Sequence, residues 1–168
     1  NGALLNDADK KKVRKIDEEL SKLSPKFSQN TLNSTNEFTY HTEDEAELSG
    51  LPEMAKEQAA ETAKKKKKDT GWMFTLQMPS YIPVMQYADN RELRKTLFKA
   101  RSKVSFGGKY DNQGIIKNII DLRYEKARIL GFEEHAEYTL QKRMAGSTAN
   151  VNKFLDRLYK VYYPAAKK

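Results

Sequence analysis

Residues 71–94 read Gly-Trp-Met-Phe-Thr-Leu-Gln-Met-Pro-Ser-Tyr-Ile-Pro-Val-Met-Gln-Tyr-Ala-Asp-Asn-Arg-Glu-Leu-Arg, and this stretch decides the fold. It holds the only Trp, three of the five Met and two of the five Pro, which makes it the most apolar part of a lysine-rich chain. Trp72 to Leu76 reads as a strand, because aromatic and β-branched side chains suit a pleated, half-buried surface. Pro79 and Pro83 bar that strand from continuing, since proline cannot donate to a ladder. Asp89-Asn90-Arg91-Glu92 then opens a helix, with Asp89 as N-cap and Glu92 closing a capping box.

A lone strand would leave its backbone groups unpaired. The candidate partner is Glu37 to His41, which alternates polar and apolar residues. The expectation is a two-stranded ribbon, about 37–41 with 72–77, set among helices. Upstream, residues 8–36 carry Val13, Ile16, Leu20, Leu23 and Phe27 at helical spacing, a narrow apolar seam. Asp7 is a candidate N-cap. Pro25 interrupts the pattern and is expected to kink the helix rather than end it, because Phe27 continues the seam. Ordinary helix-on-helix packing accounts for so short a seam. Asp44 to Leu48 reads as one helical turn closed by Gly50, and Pro52 suits the first position of a helix over 52–68.

That helix has Glu53, Glu57 and Glu61 early and Lys64 to Lys68 late, matching the helix dipole. The lysine run raises the question of a nucleic-acid contact. No aromatic is interleaved with it, so bases would find no stacking platform, and a solvated helix end is the simpler reading. A helix over 91–103 presents Leu93, Leu97 and Ala100. Val104 to Asn112, with Gly107-Gly108, reads as a mobile loop. Asp111 is placed to cap a helix over 112–130, whose Ile115, Ile116, Ile119, Ile120 and Leu122 predict the most buried helix of the chain. Gly131 stops it. A short helix over 133–144 and a last one over 148–162, ending before Pro164, complete the reading. The fold class is mainly α, with six to seven helices in a single domain over 1–168.

The chain has 168 residues, enough for one core and short for two domains. Charged residues at 32% exceed the usual share, and apolar ones at 38% fall below it, which predicts a thin helical layer with much solvated surface. The net charge of +8 speaks to solubility and to acidic partners, not to fold. The absence of cysteine excludes disulfides and cysteine-ligated zinc. No stretch reads as a membrane span or a signal peptide. The first residue is Asn1 rather than Met, from which we expect an excised piece of a longer protein.

Catalytic patterns are missing from the residues themselves. His41 and His135 are the only histidines, and neither begins an H-E-x-x-H. There is no G-x-S-x-G elbow, and Gly107-Gly108 belongs to no phosphate-binding pattern. Acidic pairs such as Glu18-Glu19 and Glu133-Glu134 suit exposed helix faces.

The opening stretch nonetheless carries a resemblance. Trp72-x-Phe74-Thr75-Leu76-Gln77-x-Pro79-Ser80-Tyr81-x-Pro83, followed by Tyr87-Ala88-Asp89-x-x-x-Leu93-Arg94, resembles the region before the catalytic core in the thimet oligopeptidase family, which includes oligopeptidase A and the bacterial peptidyl-dipeptidases. Further segments agree in order. They are Asn1 to Leu5 leading to Leu23-Ser24-Pro25-Lys26-Phe27-Ser28-Gln29-Asn30, Asp44 to Pro52, Asp111-Asn112 with Leu122-Arg123-x-Glu125-Lys126-Ala127 and Leu130-Gly131-Phe132, and Ala136-Glu137-Tyr138 through Arg143-Met144-Ala145. The nearest likeness is to the bacterial peptidyl-dipeptidase branch.

The resemblance implies a zinc metallopeptidase that cleaves short peptides in a channel between two helical lobes. Its metal would be held by an H-E-x-x-H helix and a downstream glutamate, with the motif glutamate as general base. None of these residues has a counterpart here, so no catalytic, metal or cofactor-binding residue is assigned. The chain is expected to be a non-catalytic, channel-walling fragment of the N-terminal lobe, part of whose surface meets the absent catalytic lobe. Candidates for lining the channel are Tyr81, Arg101, Gly107 and Gly108. Expected partners are short peptides and the catalytic lobe, with no nucleic acid and no membrane. The expected compartment is the cytoplasm, with the periplasm as alternative. Other readings are a stand-alone helical interaction module and a basic nucleic-acid binder.

Overall fold

The computed structural model describes residues 2–167; Asn1, the first residue of the family-like segments, and Lys168 lie outside the described residues. In chain order the elements are α1 (Asp7–Glu37), β1 (Thr39–Thr42), a 3₁₀ turn (Glu45–Leu48), α2 (Glu53–Lys65), β2 (Trp72–Thr75), α3 (Met78–Tyr87) and α4 (Arg91–Ser102). A second 3₁₀ turn (Gly108–Tyr110), α5 (Gln113–Ile129), α6 (His135–Leu140) and α7 (Thr148–Ala166) follow. The fold is mainly α with one two-stranded antiparallel ribbon, as the sequence predicts. Contacts divide the chain into two compact units, one of Pro25–Ile116 and one of Asn1–Ser24 with Lys117–Lys168.

The 25–116 unit is built around the ribbon. Thr39 pairs with Thr75, Tyr40 with Phe74, His41 with Met73 and Thr42 with Trp72. The predicted strands are therefore shifted and shortened: β1 starts two residues later than Glu37, because α1 runs to that residue, and β2 stops at Thr75. Phe74 is 1% exposed and lies in one cluster with Leu48, Leu51, Ala59, Val84, Ala88, Leu93 and Leu97. Tyr40 packs on that cluster and donates its hydroxyl to Glu47 Oε2 at 2.8 Å. Burial and the Glu47 carboxylate together push the phenol above its ordinary range.

The segment after β2 departs from expectation. The strand stops at Thr75, short of Pro79 and Pro83, which lie within α3, a helix not predicted there. Proline in a first turn has the right φ, and its missing N–H would find no partner in any case; only Pro83 removes a ladder bond. Asp89 is not the N-cap of α4. Asn90 is, its side chain accepting the N–H groups of Glu92 and Leu93 at 3.0 and 3.2 Å. Asp89 instead accepts the Ser49 hydroxyl at 2.7 Å, and its N–H donates to Ser49 O at 2.8 Å. That clasp passes over Gly50, where φ is +81° and a Cβ would lie 2.2 Å from Tyr87 O. Only glycine fits such a close approach.

The lysine run closes α2 rather than prolonging it. Lys67 N–H donates to Lys64 O and Lys68 N–H to Ala63 O, both at 3.0 Å, with Lys67 at φ +61°. This is a Schellman end in which lysine holds the left-handed place usual for glycine. At the chain's start, Asn6 rather than Asp7 caps α1, its Oδ1 accepting Asp9 N–H at 2.9 Å. The helix does not end at Pro25.

In the other unit, Ile16 of α1 and Ala127 of α5 are buried, and Lys126 pairs with Asp17 at 2.5 Å. The predicted burial of α5 is corrected: Ala127 is its only buried residue among those described, and Ile120 is 60% exposed. Helix α7 starts as predicted behind Ser147, whose Oγ accepts Asn150 N–H at 3.2 Å. It runs through Pro164 to Ala166 instead of stopping short of it. Phe154, Leu155, Tyr159 and Tyr162 are all exposed. Apolar periodicity marks a face able to be buried, and burial itself needs a second surface.

Phe74→Ala is expected to lower unfolding free energy by about 3–5 kcal/mol, the cost of a large cavity in a packed core. Phe154→Ala on exposed α7 should change it by roughly 0.5 kcal/mol or less. Urea unfolding of the two variants checks the contrast.

Candidate functional site

The sequence candidates fall in the 25–116 unit, and the structure brings two of them together. The Arg101 guanidinium lies 5.9 Å from the centre of the Tyr81 ring. Its Nη1 donates to Leu76 O at 3.1 Å, just beyond the end of β2. Arg101 thus joins the last turn of α4 to the ribbon and rests on α3. Both its charge and its planar face are engaged within the fold.

Arg101 also borders a groove of about 540 Å³ between α1 and the β2–α3 junction. Phe27, Thr31 and Thr35 line the α1 side at helical spacing, and Gln77 and Met78 lie opposite. The threonines add no free donors, because Thr31 Oγ1 donates to Phe27 O at 3.0 Å and Thr35 Oγ1 to Thr31 O at 2.7 Å. The groove offers apolar walls with one cation at its rim.

Gly107 and Gly108 do not join this pair. They sit in an exposed turn with φ of +76° and +70°, and a Cβ at either would meet nothing within 4 Å. Backbone conformation, not close approach to another group, accounts for glycine there. The segment is pinned at both ends, in contrast to the loose loop expected. Ser105 N–H donates to Ser34 Oγ, and Asn112 N–H to Ser105 O, both at 3.0 Å.

Asn112 is the residue that sequence reasoning undervalued. It is 1% exposed, and its Nδ2 donates to Phe27 O at 3.0 Å and Thr31 Oγ1 at 3.2 Å, while its Oδ1 accepts from Asn30 at 2.9 Å. One buried amide therefore holds the start of α5 against α1. A buried amide left unpaired is costly, so its full set of partners fixes this junction. The sequence placed it at the start of a helix and gave the cap to Asp111, with no sign of a distant partner. The neighbouring Asp111 accepts Gln113 N–H at 3.1 Å, and that bond chiefly holds its carboxyl below the ordinary range.

No group of three or more His, Asp or Glu able to hold a metal occurs among the described residues. His41 Nε2 bonds Thr70 O at 2.8 Å. His135 Nε2 faces Thr139 Oγ1 at 3.3 Å, in the other unit. The described residues therefore do not fit a zinc site, and no step through a metal is assigned to them.

The model of Peptidase family M3 matches residues 84–168. The chain is 39% identical over 164 residues to the probable cytosolic oligopeptidase A of Arabidopsis thaliana, covering 94% of this chain and 23% of that protein. It is 37% identical over 173 residues to the oligopeptidase A of Haemophilus influenzae, covering 100% of this chain and 25% of that protein. Identity to the dipeptidyl carboxypeptidase of Escherichia coli is 29% over 145 residues, covering 86% and 21%. The peptidyl-dipeptidase branch singled out from the motifs thus shares fewer positions than oligopeptidase A does. The chain spans between 21% and 25% of the length of these relatives.

Arg101→Ala is expected to lower stability by about 1–2 kcal/mol, through the lost bond to Leu76 O and the lost contact with Tyr81; urea denaturation reads this. A second test uses His135, whose ring is pushed below its ordinary value, first by burial and then by Arg123 and Lys126. The unfolded chain then takes up this proton at a higher pH than the folded one. Stability is complete above about pH 7.5 and falls as the pH drops through about 6.5, the ordinary histidine value. The urea midpoint should therefore decline as the pH falls through that value, and His135→Gln should flatten the decline.

Proposed function

The chain belongs to Peptidase family M3, and on that premise we propose that it is a channel-walling part of a longer peptidase that hydrolyses short peptides. The observation that carries this reading is the likeness to oligopeptidase A along nearly the whole chain, while that chain spans about a quarter of the relative. The 168 residues act as one segment of a non-catalytic, N-terminal lobe. Zinc and the residues that hold it belong to another part of the longer protein, and zinc would supply the activated water for hydrolysis.

Helix α7 supports the same reading. Tyr162 is 65% exposed and Phe154, Leu155 and Tyr159 are exposed beside it, more apolar surface than one helix of a free-standing domain usually shows to water. The catalytic lobe is the partner that would cover it. Tyr81 and Arg101 serve this role by fixing the wall rather than by touching substrate. The cytoplasm is the proposed compartment, in keeping with the name of the cytosolic relative.

The test is hydrolysis of an internally quenched fluorescent nonapeptide by the longer protein and by the 168-residue chain. The longer protein should cleave it and lose activity with 1,10-phenanthroline, and zinc should restore the rate. The chain alone should not cleave it. Zinc-dependent cleavage by the chain alone would overturn the proposal.

A further inference from the structure

The ribbon has two edges, and they are treated differently. Thr75 N–H points away from β1 and donates to Ser80 Oγ at 2.9 Å. At the other end, a Cβ on Gly71 would lie 2.3 Å from Thr42 O, which sets that carbonyl beside Trp72. Together these make Tyr40–Phe74 and Thr42–Trp72 the hydrogen-bonded pairs of the ladder, since such pairs alternate with non-bonded ones. Thr39 and His41 therefore turn their N–H and C=O groups outward along the free edge of β1. Met73 and Thr75 do the same along the outer edge of β2.

The β2 edge is closed. Met73 is buried, Thr75 N–H is taken by Ser80, and α2 and α3 pack on this strand. The β1 edge is open. Thr39 is exposed and His41 half-buried, with its ring turned to Thr70 O. Outside the ladder, no backbone hydrogen bond of Thr39 or His41 occurs among the described residues.

We propose that the free edge of β1, through the backbone groups of Thr39 and His41, takes up an extended peptide as a third strand. This rests on the peptide-handling reading above and names a surface for it. The outward groups repeat every second residue, about 6.6–6.8 Å, the repeat of any extended chain. Recognition through main-chain groups is indifferent to side chains, which suits a protein that handles peptides of varied sequence. A groove of about 420 Å³ adjoins the Thr39 end, bordered by Phe38 and by Glu37 and Lys103, and can receive one side chain of the peptide. Two residues supply at most four backbone hydrogen bonds, so the strand is held briefly and released. A longer open edge would instead recruit other copies of the chain.

The test is nuclear magnetic resonance of the 168-residue chain with a soluble heptapeptide of alternating Thr and Val. Amide exchange at Thr39 and His41 is expected to slow about tenfold at about 1 mM peptide, while ladder amides change little. The same peptide with its central amides N-methylated should bind about 2- to 10-fold more weakly, as the loss of one backbone bond requires. Thr39→Pro should have the same effect, because proline is tolerated where the N–H faces out of an edge strand. The N-methylated peptide probes the unaltered chain and stands even if that variant misfolds. Unchanged exchange at Thr39 and His41, or equal binding of the N-methylated peptide, overturns the inference. Either result leaves the peptidase reading intact, because that is judged by hydrolysis.

Discussion

Two four-residue strands cannot hold each other in water, and the 25–116 unit is arranged around that weakness. Phe74 removes the difficulty by entering a cluster supplied by α2, α3, α4 and the 48–51 turn. Each helix of this unit is therefore placed by what it must cover. The Ser49–Asp89 clasp and Gly50 bring the ends of that cover together, and Arg101 ties α4 to the end of β2. A strand with no sheet around it becomes the organising element because only burial on helices keeps it formed.

What the sequence revealed of this, and what it hid, follows from how local each feature is. The ribbon was legible because Trp72, Phe74 and the alternation around Tyr40 are contained in a few residues. The helices were legible from spacing, and Gly50 and Gly131 from their local roles. Helix α3 was hidden because two prolines in ten residues argue against a helix; Pro79 falls in the first turn, where its missing N–H costs nothing, while Pro83 gives up one ladder bond. Asp89, read as the cap of α4, is engaged instead by the distant Ser49, and Asn90 takes the cap. The isoleucines of α5 misled for the opposite reason. Their spacing reports a face that can be buried, while burial depends on a surface that periodicity does not contain.

The candidate site shows the same division. Tyr81 and Arg101 were named as candidates for lining the channel, and they meet. They meet in order to hold α4 and α3 to the ribbon. Asn112, read in sequence only as the start of a helix and part of a family-like segment, satisfies three partners across more than eighty residues of chain. A polar residue that is fully paired and buried specifies geometry, whereas one left free can act on a ligand. By that criterion the side chains of this unit are committed to shape.

Main-chain groups at the β1 edge escape that commitment. Covering both edges of the ribbon would have stabilised it further, yet α2 and α3 both lie with β2. The asymmetry has a physical consequence. A protected β2 fixes the register through Phe74 and Ser80, so the outward groups of Thr39 and His41 are held at set positions while still in water. An incoming strand then loses its own conformational freedom but need not order its template, which lowers the entropic cost of pairing. Brevity completes the logic: four residues give a defined docking place that is too short to template further chains.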